Sequence, residues 1–164
     1  ESTLVQLKDG RLWMLLRTNW GNFWQTFSDD DGLPWKDIGP TAIDASSSPG
    51  ILRRLKSGRL VLVGNRLGPE GEKEYPLRGG DGNLSEVPAN WQREELSIMF
   101  SDNDGNSWSR PVIIAKTTKK GDQLSYPYLF EVEPGVLWIT TQFQGKLSIR
   151  LHEKDFLLKG RRGF

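Results

Sequence analysis

One histidine, His152, and no cysteine leave little of the usual catalytic inventory. A lone imidazole cannot form a His-based metal cluster, and nothing in the spacing offers it the partners of a Ser-His-Asp triad. Without thiols there are no disulfides, thiolate zinc sites or cysteine nucleophiles. Hydrolytic chemistry in this chain would have to run on carboxylates, Arg, Lys or Tyr. The conspicuous carboxylates fall in two acidic stretches, FSDDDGLPW (27–35) and FSDNDGNSW (100–108). A calcium loop of the EF-hand kind needs ligands out to a twelfth-position Glu, and neither stretch has one. Their Ser and Asp side chains read instead as bonding the turn's own backbone N–H groups, with Gly at a φ > 0 position and the Trp packing as a buried plug. Asp44 in TAIDASSSPG and Asp81 in RGGDGN are further possible acids, and both sit among turn-forming residues.

The elements that would position such groups are short strands. The chain has 18 Gly and 9 Pro, punctuating runs rich in Leu, Val, Ile, Trp and Thr. That is an antiparallel all-β pattern, and no window carries a helical apolar stripe. The segment LVQLKDGRLWMLLR (4–17) superposes on ILRRLKSGRLVLVGNR (51–66), 48 positions on, and a weaker copy is LFEVEPGVLWITTQ (129–142). Each copy reads as strand, Gly turn, strand. Adding the strand and acidic turn that follow gives one four-stranded sheet per repeat of about 40–50 residues, the period of β-propeller blades.

The expected blades run over about 2–40, 49–115 and 124–152, with residues 67–93 inserted in the second, too long for a plain connector and able to rim a site. The third copy lacks a terminal turn and Trp, so its outer strand is missing or comes from elsewhere. Three blades do not close a ring of four to eight. The expectation is therefore about three four-stranded sheets forming half of a six-bladed propeller, completed by a missing N-terminal half or a second copy. The opening Glu, in what reads as mid-strand, looks like a cut.

Both acidic turns fit S-x-[DN]-x-G-x-x-W, the Asp box. With this motif the chain resembles the C-terminal half of a bacterial exo-sialidase (neuraminidase), a six-bladed Asp-box propeller. Four positions follow that family's order: Glu1 and Arg17 in ESTLVQLKDGRLWMLLRT, Arg93 in NWQREELSIMFSDNDG, and Tyr126 in LSYPYLFEVEPGVLW. The resemblance implies Tyr126 as nucleophile, Glu1 as its base, and Arg17 and Arg93 as two arms of a three-Arg clamp on the substrate carboxylate. The residue types suit an anionic sugar. A guanidinium fork holds a carboxylate bidentately. A carboxylate nucleophile would be repelled by it, and sialidases use Tyr. A phenol with a pKa near 10 needs a neighbouring base. The family's first Arg and its acid-base Asp have no match in this chain. Arg53, Arg54, Arg66 and Arg78 compete with Arg93, and Tyr128 with Tyr126.

The implied activity is release of terminal sialic acid with retention, incomplete in this chain alone. No cofactor and no metal are expected. The competing readings are a carbohydrate-binding or polysaccharide-active Asp-box propeller without sialidase turnover, and a purely structural Asp-box module. The expected partner is a sialylated glycan or a related acidic carbohydrate. With 22 basic against 21 acidic side chains, net +1, and no basic block, there is no electrostatic case for nucleic acid or an anionic membrane surface. No apolar run approaches the roughly 18 residues of a membrane span. A secreted or periplasmic location follows from the resemblance only.

Overall fold

The computed structural model describes residues 1–72, 74–83, 86–119, 121–143 and 145–157, with the backbone alone at 142, 143, 145 and 146. It is all-β. Strands β1 (Ser2–Gln6), β2 (Leu12–Leu16), β3 (Asn22–Ser28) and β4 (Lys36–Asp44) make a first antiparallel sheet in the order β1-β2-β3-β4. Strands β5 (Ile51–Arg54), β6 (Leu60–Gly64), β9 (Glu95–Ser101) and β10 (Val112–Lys116) make the second, ordered β5-β6-β9-β10. Between β6 and β9 lies a two-stranded ribbon of β7 (Leu77–Gly79) and β8 (Pro88–Asn90). The third sheet joins β11 (Ser125–Glu133), β12 (Val136–Phe143) and β13 (Gly145–His152).

The repeats are visible in atomic detail. Leu7 N bonds Arg11 O at 2.8 Å, and Leu55 N bonds Arg59 O at 2.8 Å. Gly10 and Gly58 close the two hairpins at φ values of 94° and 87°, where a side chain would be strained. In both acidic turns the serine hydroxyl accepts the glycine N–H, from Gly32 to Ser28 at 3.0 Å and from Gly105 to Ser101 at 2.9 Å. The third position holds the next turn of chain: Asp30 accepts Leu33 N–H at 3.0 Å and Asn103 accepts Ser107 N–H at 2.9 Å. The acidic residues are thus turn-formers. Trp35 and Trp108, expected as buried plugs, are half-buried. Trp108 leans on Trp13 with ring centroids 6.4 Å apart, one edge left at the groove between the first two sheets.

The sheets stack face to face around two apolar clusters. Leu15, Phe23, Leu52, Leu60 and Leu62 belong to the first, between sheets one and two. Val61, Val63, Ile98, Leu129 and Ile139 belong to the second, between sheets two and three. Alternate residues of β6 therefore face opposite clusters, and all five are buried. Innermost strands β1, β5 and β11 neighbour one another across the sheets. At the β1–β5 contact, Leu52 N–H bonds the Thr3 hydroxyl at 3.0 Å.

Among the described residues the third sheet lacks an outer strand, one of the two outcomes expected from the absent turn and Trp of the third repeat. It has three strands there, because after His152 the chain turns into a short helix, α1 (Lys154–Leu157). Phe156 of that helix packs on Phe100 with ring centroids 5.2 Å apart, covering the second cluster where an outer strand would have lain.

Candidate active site

Strands β1, β5, β9 and β11 all begin, and β2 and β6 end, at one end of the stack. The side chains singled out in the sequence meet there. Arg17 follows β2, and its backbone N–H bonds the Glu1 carbonyl at 2.9 Å, carrying the β1–β2 pairing one step past Ser2 and Leu16. This register sets the Glu1 carboxylate against the Arg17 guanidinium at 2.6 Å. Arg93 lies between β8 and β9, its carbonyl accepting Leu124 N–H at 2.6 Å, and its side chain is 5% exposed.

Ser47, in the link from β4 to β5, connects the two arginines. Its hydroxyl accepts from Arg17 Nε and Nη2 at 3.4 and 3.3 Å and donates to Asn19 Oδ1 at 2.6 Å. Its carbonyl accepts Arg93 Nη2 at 3.0 Å, and Gln123 Oε1 accepts Nη1 at 3.1 Å. The Arg93 guanidinium sits over the Trp91 ring at 4.8 Å and the Tyr126 ring at 5.5 Å. Both contacts are within cation–π range.

Tyr126 is the odd residue of β11. Its φ is +55°, a left-handed conformation rare for a bulky side chain, and it falls where the β11–β12 register shifts between Ser125 and Tyr128. A bulge of this kind re-aims a side chain. Here it sends the phenol ring, 42% exposed, towards Arg93. Such a backbone costs on the order of 1–3 kcal/mol and tends to occur where function requires it. Tyr126 and Tyr128 both stand clear of the apolar core, so neither is the core residue that a plain alternating strand would allow.

The electrostatics are those of an anion site with a base beside it. Burial pushes the Glu1 carboxyl up, but the hydrogen bond and charge of Arg17, with a smaller contribution from Tyr126, more than offset this and hold it below the ordinary value. Burial brings the Arg93 guanidinium down, Arg17 adds to the effect, and Tyr126 and Glu1 act against it. Two guanidinium groups share this corner with one carboxylate, which leaves a positive excess.

The other candidates lie elsewhere. Asp44 is a strand-end residue, not a turn residue; it pairs with Arg66 and accepts Leu67 N–H at 3.1 Å. Arg54 pairs with Asp104 at 2.8 Å. Asp81 accepts Asn83 N–H at 3.1 Å in the loop after β7. The inserted residues do reach the site: Val87 lines a pocket of about 370 Å³ together with Glu1, Arg17, Thr18, Asn19 and Trp20. Sequence reading missed Ser47 and Gln123. Ser46, Ser47 and Ser48 look like loop composition, yet all three are buried. A run of three buried hydroxyls signals hydrogen-bonding work, but only a structure reveals the burial.

Comparison with known families matches residues 1–139 to the BNR repeat-like domain. The chain belongs to that family. No curated protein matches the sequence. The four-stranded antiparallel sheets are consistent with blades of such a domain, and the matched span takes in all four clustered side chains.

Proposed function

We propose that this BNR repeat-like domain is part of a sialidase-type glycoside hydrolase that releases terminal sialic acid with retention of configuration. The observation that carries the reading is the strained Tyr126, its ring against Arg93 and its side chain acting on the Glu1 carboxyl, with Arg17 and Arg93 bound to one serine. Two arginines fixed by Ser47 offer the substrate carboxylate a preorganised anion site, so little side-chain entropy is lost on binding.

In the first step the Tyr126 oxygen attacks the anomeric carbon while the phenolic proton passes to the Glu1 carboxylate. The bond to the leaving oxygen breaks with its electron pair, and that oxygen takes a proton from a general acid for which we assign no residue of this chain. Water then attacks the anomeric carbon from the vacated face and gives its proton to the conjugate base of that general acid; the bond to the Tyr126 oxygen breaks with its electron pair, Glu1 returns the proton to that oxygen, and the two inversions give net retention. The second arginine pair, Arg17 with Glu1, also keeps the base ionised.

The test is trapping. A 2,3-difluorinated sialic acid incubated with the protein should leave a covalent adduct, and peptide mass spectrometry should place it on Tyr126. An adduct on Tyr128 would shift the assignment by one side-chain repeat. Sialoside binding without any adduct or turnover would favour the carbohydrate-binding reading, in which the same arginines hold an acidic sugar that is never cleaved.

A further inference from the structure

We infer that Trp20 is a stacking platform for a second sugar ring, the one attached to the acidic sugar held by Arg17 and Arg93; the inference rests on the reading just given. Trp20 is 65% exposed, the most exposed aromatic ring among the described residues, and it lies in the pocket walled by Arg17, Glu1 and Val87. Exposure of one ring alone would be ordinary; what singles out Trp20 is its place in the pocket beside the paired Arg17 and Glu1.

The platform is fixed before any ligand arrives. Trp20 N–H donates to the Thr18 hydroxyl at 3.2 Å, and that hydroxyl donates to Asn22 O at 2.7 Å. The Gly21 carbonyl accepts Ala45 N–H at 3.0 Å, tying the loop to the chain beyond β4. Trp24 packs against the indole with ring centroids 4.7 Å apart and planes tilted by 47°. The ring is therefore braced by a second ring, and the loop is tied at both ends.

The chemistry selects the occupant. An exposed indole in a pocket with the Arg17 guanidinium suits a molecule that is anionic at one point and apolar-faced beside it, and a pyranose ring presents such a C–H face. The pocket contains Arg17 and Glu1 but neither Arg93 nor Tyr126. A ring stacked there lies beside the reacting ring. The ligand class is a sialylated disaccharide or longer glycan, with Trp20 and Val87 contacting the sugar next to the sialic acid.

Calorimetric titration of the protein with N-acetylneuraminic acid and with sialyllactose separates the possibilities. Trp20→Ala should weaken sialyllactose about tenfold, the scale of one good aromatic contact, and leave N-acetylneuraminic acid within about twofold. Trp20→Phe should recover most of the loss. Because the side chain is exposed, near-ultraviolet circular dichroism should show both variants folded. Equal weakening of both ligands, or no change for sialyllactose while Arg93→Ala abolishes binding of both, overturns the second-ring assignment and leaves the sialidase-type reading standing. Failure of the unaltered protein to bind either ligand removes that reading, and this inference with it.

Discussion

Tyr126 owes its direction to the backbone, and that makes its roles separable by substitution. Tyr126→Phe removes one oxygen and keeps the ring against Arg93, so the folded state should lose no more than about 1 kcal/mol by urea denaturation. If Tyr126 is the nucleophile proposed above, turnover of a fluorogenic sialoside by a protein in which this domain has its complete site should fall by at least about 10³-fold in the same variant, because the covalent route is closed. Tyr128→Phe should keep near-full turnover, and the reverse result would move the nucleophile to Tyr128. Glu1 gives a second prediction, in pH. Its carboxyl is held below the ordinary value of 4.5, so the base stays ionised, and the acid limb of kcat/KM should lie below about pH 4.5. Arg17→Ala removes the bond and charge that hold it down and leaves burial, which raises it. The limb should then move up in pH; a limb that stays put would mean that another group sets it.

Among the elements, the turns rest on glycines with positive φ, and two of like backbone separate strain from crowding. Gly10 has φ +94° and open space where a Cβ would go. Gly105 has φ +84°, and a Cβ there would come within 2.5 Å of the Trp13 ring. Gly10→Ala should therefore cost only the left-handed penalty of about 1–2 kcal/mol. Gly105→Ala adds overlap with a buried indole and should cost about 2–5 kcal/mol in chemical denaturation. Equal losses would show that the turn gives way without disturbing Trp13. The contrast also shows what a sequence can convey. The hairpin glycines, the Asp boxes and the 48-residue repeat were legible because each is a local pattern with a local cause. The pairing of Glu1 with Arg17 was not read, although the hairpin register puts the two side by side. Nor was the positive φ of Tyr126 legible: Pro127 allows an edge strand as readily as a bulge, and a residue before Pro is pushed towards extended backbone. That the third sheet lacks an outer strand among the described residues was legible in the absent turn and Trp, but the packing of Phe156 on Phe100 was not, because it joins residues far apart in the chain. Ser47 was hidden for the same reason: its partners Arg17 and Arg93 lie 30 and 46 positions away.

Across the whole molecule, neighbouring sheets are joined by a repeated contact in which a carboxylate of one sheet accepts a hairpin N–H of the sheet before it. Asp104 accepts Lys8 N–H at 2.8 Å, and Glu131 accepts Lys56 N–H at 2.7 Å, from equivalent places in the two hairpins. Asp104 also pairs with Arg54 at 2.8 Å, so one carboxylate binds the second Asp box both to the first sheet's hairpin and to its own sheet's inner strand. Burial raises the Asp104 carboxyl, but the Lys8 N–H bond and the Arg54 hydrogen bond and charge outweigh it, and the net direction is downward from 3.8. A carboxyl depressed in the folded state binds protons less tightly there than in the unfolded chain. Its stabilising contribution is thus present above the unfolded value and is lost as pH falls through the folded one. The urea midpoint should drop between pH 7 and pH 3, and Asp104→Asn should start lower at pH 7 and lose less on acidification, because its amide cannot titrate. Hydrogen exchange should show where the loss falls: protection of Lys8 N–H and the β1–β2 hairpin should decline with acid in the unaltered protein, ahead of β6, which is buried on both faces. If Asp104→Asn shows the same acid sensitivity as the unaltered protein, other contacts between the first and second sheets hold them together, and the carboxylate contact follows their docking without securing it.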